Sequence, residues 1–128
     1  MNKTIKKINI GVIGVGHLGE HHVKHLKSID SFKLIGIHDI DERRANSIGK
    51  KYRVPLYNNI NKLIEACDAI SLVTPTETHY DIAYNCLKAK AITIAVPPYS
   101  VPYSIIFLGL NCNINAYNDV NHGYLWGI

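Results

Sequence analysis

Residues 8–13 (INIGVI) form a short, nearly unbroken apolar run, the pattern of a strand buried on both faces. Residues 14–19 read as a turn. From 17 to 28 the apolar side chains Leu18, Val23 and Leu26 recur at helical spacing among polar and basic positions, which predicts a helix. Residues 32–38 (FKLIGIH) predict a second strand, closed by Asp39. The next helix is expected to run to about residue 51, with Ala45 and Ile48 inward. Asp41 is its expected N-cap, because a carboxylate can accept a bond from an unpaired first-turn amide. Residues 54–57 predict a short third strand, and 59–66 a short helix with Ile60, Leu63 and Ile64 on one side. Residues 69–73 (AISLV) predict a fourth strand, ended by Thr74-Pro75-Thr76 because proline cannot extend a central ladder. A helix from about 78 to 88 follows, with Ile82, Ala83 and Leu87 inward, and residues 91–96 (AITIAV) complete a fifth strand.

Strands alternating with helices require parallel pairing through right-handed crossovers. The expected fold class is therefore α/β, an open parallel Rossmann-type sheet covered on both sides, in the strand order 3-2-1-4-5. After Pro97 the alternation stops, and Pro98, Pro102 and a series of asparagines from Asn111 to Asn121 predict an irregular C-terminal tail. The apolar run 105–110 within it is expected either to pack as a strand or helix on the sheet edge or to need a partner.

Length and charge narrow this picture. With 128 residues and 47% apolar content the chain can build one core. Two full domains, at roughly 100 to 200 residues each, do not fit. The expected division is one Rossmann-type domain over 1–97 and a divergent tail over 98–128. Asp119 is the only charged side chain after Lys90, and the net charge of +4 is spread thinly over the rest. Without an aromatic-interleaved basic stripe, the basic positions read as a solvated face rather than a nucleic-acid surface. Three scattered cysteines, Cys67, Cys86 and Cys112, give neither a disulfide framework nor a zinc knuckle and suit a reducing cytoplasm. The apolar run near the start is broken by Asn9, Gly11 and Gly14 and lacks a cleavage pattern, so it does not read as a signal peptide. No later run approaches the about 20 residues of a membrane span.

Candidate chemistry lies at the first turn. Gly14, Gly16 and Gly19 make GxGxxG (GVGHLG), which follows a predicted strand and opens a predicted helix. Asp39 stands 20 residues after Gly19 at the end of the next strand. In that context Gly14 allows the tight turn, Gly16 lets the backbone approach a diphosphate, and Gly19 lets the helix sit against the sheet. The helix N-terminus then offers amide donors to the anion. Asp39 would accept from the adenosine ribose hydroxyls and repel a 2′-phosphate, favouring NAD, while Arg43 and Arg44 stand near enough to bind that phosphate and admit NADP. The plainer alternative is that the glycines only mark a turn and Asp39 only caps a loop.

The strings GVIGVGHLG, LIGIHDIDERRA and SLVTPTETHYDIAYNCLKA together resemble the N-terminal NAD(P)-binding domain of the Gfo/Idh/MocA family of oxidoreductases. The resemblance covers about residues 8 to 90. It implies a dinucleotide cofactor, with substrates such as sugars and polyols held mostly by a second domain. It also implies that Thr74, Pro75 and Thr76 line the nicotinamide side and that His79 takes the place of the family's histidine at the start of the following helix. Helix capping is the plainer role for Thr74 and Thr76. With His17 and Leu18 from the glycine loop, these complete the candidate cofactor-binding residues. His22 also falls where many members have a histidine.

After CLKA the family usually reads G-K-H-V-F-V-E-K-P, with a catalytic lysine before the proline. Here Ala95, Val96 and Pro97 stand in those last places. Valine cannot take or guide a hydroxyl proton, a contribution typically worth about 10² to 10⁴-fold. No catalytic residue is therefore assigned, and the residues after Pro98 are too few for a substrate domain. The expectation is a short or incomplete family member that binds NAD(P) and is inactive alone. Two alternatives are an active sugar or polyol oxidoreductase subunit whose catalytic groups come from a partner chain or a differently placed residue, and a non-enzymatic interaction protein that keeps the fold and docks through its apolar tail. Exposed sheet edges and the tail's low charge also suit a homo-oligomer. His17, His21 and His25 share one helical face, but no supporting ligand is placed to make a metal site, and a polar face is the simpler reading. A nucleophilic pair of Cys67 or Cys86 with His79 is likewise less expected than cysteines filling core volume.

Overall fold

The computed structural model describes residues 6–95 and three strand segments beyond them, 106–108, 117–119 and 124–126. Strand β1 (Ile8–Ile13) leads through helix α1 (His17–Ser28) to β2 (Phe32–His38) and α2 (Glu42–Tyr52). Helix α3 (Ile60–Ala66), β3 (Ala69–Leu72), α4 (Thr76–Lys88) and β4 (Ile92–Ala95) follow. The segments β5 (Ile106–Leu108), β6 (Tyr117–Asp119) and β7 (Tyr124–Trp126) complete the described chain.

The main sheet runs β2-β1-β3-β4-β5, parallel except for β5, which pairs antiparallel with β4. Burial on both faces explains the unbroken apolar runs. On β1, Val12 packs with Val15, Val23, Ile37, Ala45 and Ile48 under α1 and α2. Its neighbour Ile13 points the other way, toward Leu63, Ile64, Leu72 and Ala83 under α3 and α4. Asp41 caps α2, its side chain accepting from the Arg44 amide at 3.1 Å, and Asn59 caps α3 in the same manner.

Two expectations change. The predicted strand over 54–57 is reduced to a single parallel bridge between Leu56 and Ile37. Pro55 has no N–H to give a ladder, and the Val54 amide is spent closing α2 on the Gly49 carbonyl at 2.9 Å. With that bridge as the third position, the order is the expected 3-2-1-4-5. The segment after Pro97 contains regular structure. Of the arrangements expected for the run 105–110, a strand on the sheet edge is formed, as β5, while β6 and β7 pair antiparallel with each other. Val96 and Pro97, which the resemblance sets against the family's lysine and proline, lie outside the described residues, as does Cys112.

Candidate functional site

The chain leaves β1 toward β2 on one side and later returns to β3 on the other, so the strand order reverses between β1 and β3. Open α/β sheets bind ligands at such a point, outside the carboxyl ends of the strands. A cleft of about 490 Å³ lies there. That is room for a substantial small molecule. Three walls enclose it: the glycine loop with the start of α1, the end of β2 with Asp39 and Arg44, and the Thr74-Pro75-Thr76 turn.

The glycines of the first wall answer to different constraints. Gly14 has φ +92°, a conformation that side chains disfavour, and an added Cβ would stand 2.6 Å from the Val73 carbonyl oxygen. At Gly19 a Cβ would stand 1.9 Å from the Gly14 carbonyl oxygen, so α1 packs backbone against backbone on the loop that precedes it. Gly16 differs. Among the described residues a Cβ there meets only Arg44 Nη1, at 3.8 Å, and Gly16 sits in ordinary extended backbone as the N-cap of α1. No side chain caps that helix, whose first bond runs from the Glu20 amide to the Gly16 carbonyl at 2.8 Å. The preceding first-turn amides thus face the cleft without a capping acceptor.

Asp39 ties the second wall to the first. Its Oδ2 accepts from the Val15 amide at 2.8 Å and its Oδ1 from the Asp41 amide at 2.8 Å, and the side chain is 6% exposed. Arg44, on the first turn of α2, holds Nη1 3.7 Å from Asp39 Oδ2 and Nη2 3.6 Å from Asp41 Oδ2. Ile40 is 95% exposed at the lip of the same cleft, an apolar side chain that the core does not use.

Side-chain bonds make the third wall. Thr78 Oγ1 lies 2.8 Å from the Pro75 carbonyl and 2.7 Å from Thr74 Oγ1. A hydroxyl has one proton, so when Thr78 donates to Pro75, the Thr74 hydroxyl must donate to Thr78. His79 Nε2 lies 2.7 Å from the Thr74 carbonyl oxygen, which can only accept, so Nε2 carries the proton. His79 is 5% exposed, and burial holds its pKa below the usual histidine value against the opposing pull of that bond and of Glu77.

The fold therefore brings together at the cleft Gly14, Gly16, His17, Leu18, Gly19, Asp39, Thr74, Pro75 and Thr76. His79 is the exception. It does not line the cleft but stands behind the wall and fixes the Thr74 carbonyl. Neither Thr74 nor Thr76 caps α4, which starts at Thr76 with Pro75 as its uncapped N-cap. Sequence reasoning missed Ile40 and the clamp between Asp39 and the Val15 amide. An isoleucine directly after the strand-ending acid was the available signal for the first. His22, in α1, places Nδ1 2.9 Å from Ser71 Oγ, which explains a hydroxyl in the otherwise apolar β3. Cys67 and Cys86 are buried and free, and burial is the main cause that pushes the Cys67 thiol up to about 12. The rings of His17 and His21 meet edge to face with centroids 4.9 Å apart.

Known proteins share this arrangement. Residues 8–99 match the Gfo/Idh/MocA family, described as an oxidoreductase family with an NAD-binding Rossmann fold. UDP-N-acetylglucosamine 3-dehydrogenase of Acidithiobacillus ferrooxidans is 33% identical over 91 residues, 71% of this chain and 28% of that protein. Myo-inositol 2-dehydrogenase of Thermotoga maritima is 35% identical over 97 residues, 73% of this chain and 29% of that protein. A crystal form of the Acidithiobacillus enzyme superposes with a TM-score of 0.68 at 31% identity, over 75% of this chain and 31% of that one. A structure of GenD2 from gentamicin A biosynthesis, in complex with NAD, shares the fold at 19% identity and a TM-score of 0.67, over 73% of this chain and 28% of that one. The chain thus spans under a third of the length of these relatives. With the family's pattern matched over residues 8–99 and a glycine-walled cleft at the strand reversal, the protein belongs to the Gfo/Idh/MocA oxidoreductases and carries their NAD-binding Rossmann domain.

Proposed function

We propose that this chain is a dinucleotide-binding unit that holds NAD(H), and by itself performs no dehydrogenation. The observation that supports cofactor binding most is Gly16. Among the described residues nothing crowds a Cβ there, since the nearest atom is Arg44 Nη1 at 3.8 Å, yet that Cβ would stand in the cleft beside the uncapped first turn of α1. A diphosphate against those amides needs the space a side chain would fill. Asp39 would meet the adenosine ribose, and the Thr74-Pro75-Thr76 wall would face the nicotinamide, with His79 holding that wall from behind. When bound, the nicotinamide supplies a site that gives or takes a hydride.

The inactivity half of the proposal rests on the chain's own sequence. By the resemblance, aligned without a gap, Val96 would stand where the family has its catalytic lysine, and valine has no proton to exchange. A reducing cytoplasm suits the two buried free thiols. Titration with NADH, followed by its fluorescence, should saturate, and Asp39→Ala should weaken it with the circular dichroism spectrum retained. A wild-type protein that gives no saturable signal would discard the cofactor reading. Incubation with NAD and a panel of polyols should give no NADH above background. Turnover in that assay would favour an active subunit instead.

A further inference from the structure

Helix α1 carries an imidazole at every fourth position, His17, His21 and His25, and all three are exposed. Spacing alone offers two chelating pairs, since residues four apart lie one above the other on a helix. The structure brings His17 and His21 together, with ring centroids 4.9 Å apart. Two imidazoles on one tetrahedral ion, each through a bond of about 2 Å, hold their centroids about 5 Å apart. The pair is therefore already at chelating separation. No carboxylate completes it. Glu20, the acid of the first turn of α1, accepts instead from Lys51 and Tyr52. Among the described residues no group of three His, Cys, Asp or Glu is placed to hold a metal ion. Two neutral nitrogens suit a transition cation such as Zn²⁺ and not Mg²⁺ or Ca²⁺, which take oxygen. They leave the rest of its coordination shell open.

His17 lines the cleft, and His21 stands one turn further along α1, outside it. An ion held between them is placed beside the uncapped first turn that faces the cleft. Resting on the reading of that cleft as a dinucleotide site, we propose that His17 and His21 bind a divalent transition cation whose open positions the diphosphate fills. Charge decides the sense of the coupling. The positive end of the α1 dipole disfavours a cation while the cleft is empty. An anionic diphosphate against the same amides reverses that, and its oxygens complete the shell. Metal and dinucleotide therefore tighten each other, by the same factor in both directions.

Zn²⁺ is the probe, titrated by calorimetry into untagged wild type, His17→Ala, His21→Ala and His25→Ala, each checked for retained fold by circular dichroism. His17→Ala and His21→Ala should each weaken binding by about tenfold or more, through the loss of one of two ligands, while His25→Ala binds as the wild type does. Equal losses from His17→Ala and His25→Ala would centre the ion on His21 without favouring the cleft, and would overturn the proposal. So would a wild type without saturable Zn²⁺ binding, or binding that no variant weakens. NADH fluorescence titrations, with saturating Zn²⁺ and with a chelator in its place, read the coupling. Zn²⁺ should tighten NADH binding to the wild type by about fivefold or more and have no such effect on His21→Ala. Histidine-dependent Zn²⁺ binding that leaves NADH affinity unchanged, or weakens it, would overturn the coupling. A wild type that binds no NADH in either buffer would instead remove the cofactor reading beneath it, while the calorimetry still decides the two-histidine site.

Discussion

The two long walls of the cleft are built from different materials. On the β1–α1 side, main chain lies against main chain, and the decisive contacts involve no side chain: Gly14 against Val73, Gly19 against Gly14. On the β3–α4 side, the turn is fixed by side chains, with Thr78 joining Thr74 and Pro75 while His79 takes the Thr74 carbonyl. A wall of backbone is intolerant of added volume and indifferent to pH. A wall of hydrogen-bonded side chains should behave the opposite way.

The sharpest way to break the first wall is Gly19→Ala. A methyl 1.9 Å from the Gly14 carbonyl oxygen forces α1 off the loop, and the protein should lose about 3 kcal/mol of stability, at the upper end of overpacking costs. Chemical denaturation measures it, and an unchanged midpoint would mean that the helix does not sit this close. The second wall should break less severely. His79→Ala leaves the Thr74 carbonyl without its donor and a void behind the turn, for a loss of about 2 kcal/mol. Asparagine there should not restore it, because its amide is too short to reach where Nε2 reaches. Equal stabilities of wild type and His79→Ala would remove His79 from the wall.

Gly16→Ala separates space needed by the fold from space needed by a ligand. Stability should change by less than about 1 kcal/mol, since the site is uncrowded and only an N-cap preference is lost. Affinity for NADH should fall by about tenfold or more, corresponding to about 1.4 kcal/mol. A variant that binds as the wild type does would show that no ligand approaches the loop at Gly16.

These contrasts also explain what could be read before the fold was known. The sheet was legible because strands such as AISL are buried on both faces and carry no polar alternation to confuse with another element. The glycine loop was legible because backbone proximity leaves a direct mark: only glycine fits at Gly14 and Gly19. The span 54–57 misled because its apolar pattern is local, while the fate of the Val54 amide is decided by the end of α2. His79 shows the same limit at the site. Its presence near the start of α4 was visible, but its inward turn to Thr74 depends on how the helix leaves the wall. The bond between Asp39 and the Val15 amide spans 24 residues and has no sequence signature.

The smallest effect should be the response to acid of two histidines, His79 in the second wall and His22 on α1. Burial lowers the pKa of His79, and burial with the nearby His25 and His21 lowers that of His22, both from an ordinary value of 6.5. Each group therefore binds a proton more readily in the unfolded chain than in the folded one. Stability then rises with pH wherever the unfolded state holds the extra proton. The contribution is complete above 6.5 and is lost as pH falls through the depressed folded values. Denaturation midpoints measured from neutral to mildly acidic pH should decline for the wild type. The decline should be shallower in His79→Gln and shallower still with His22→Gln added, because glutamine keeps a donor but does not titrate. Gly16→Ala should decline in parallel with the wild type, since it leaves both histidines in place. A slope unchanged by both glutamine substitutions would place the acid sensitivity outside these two histidines.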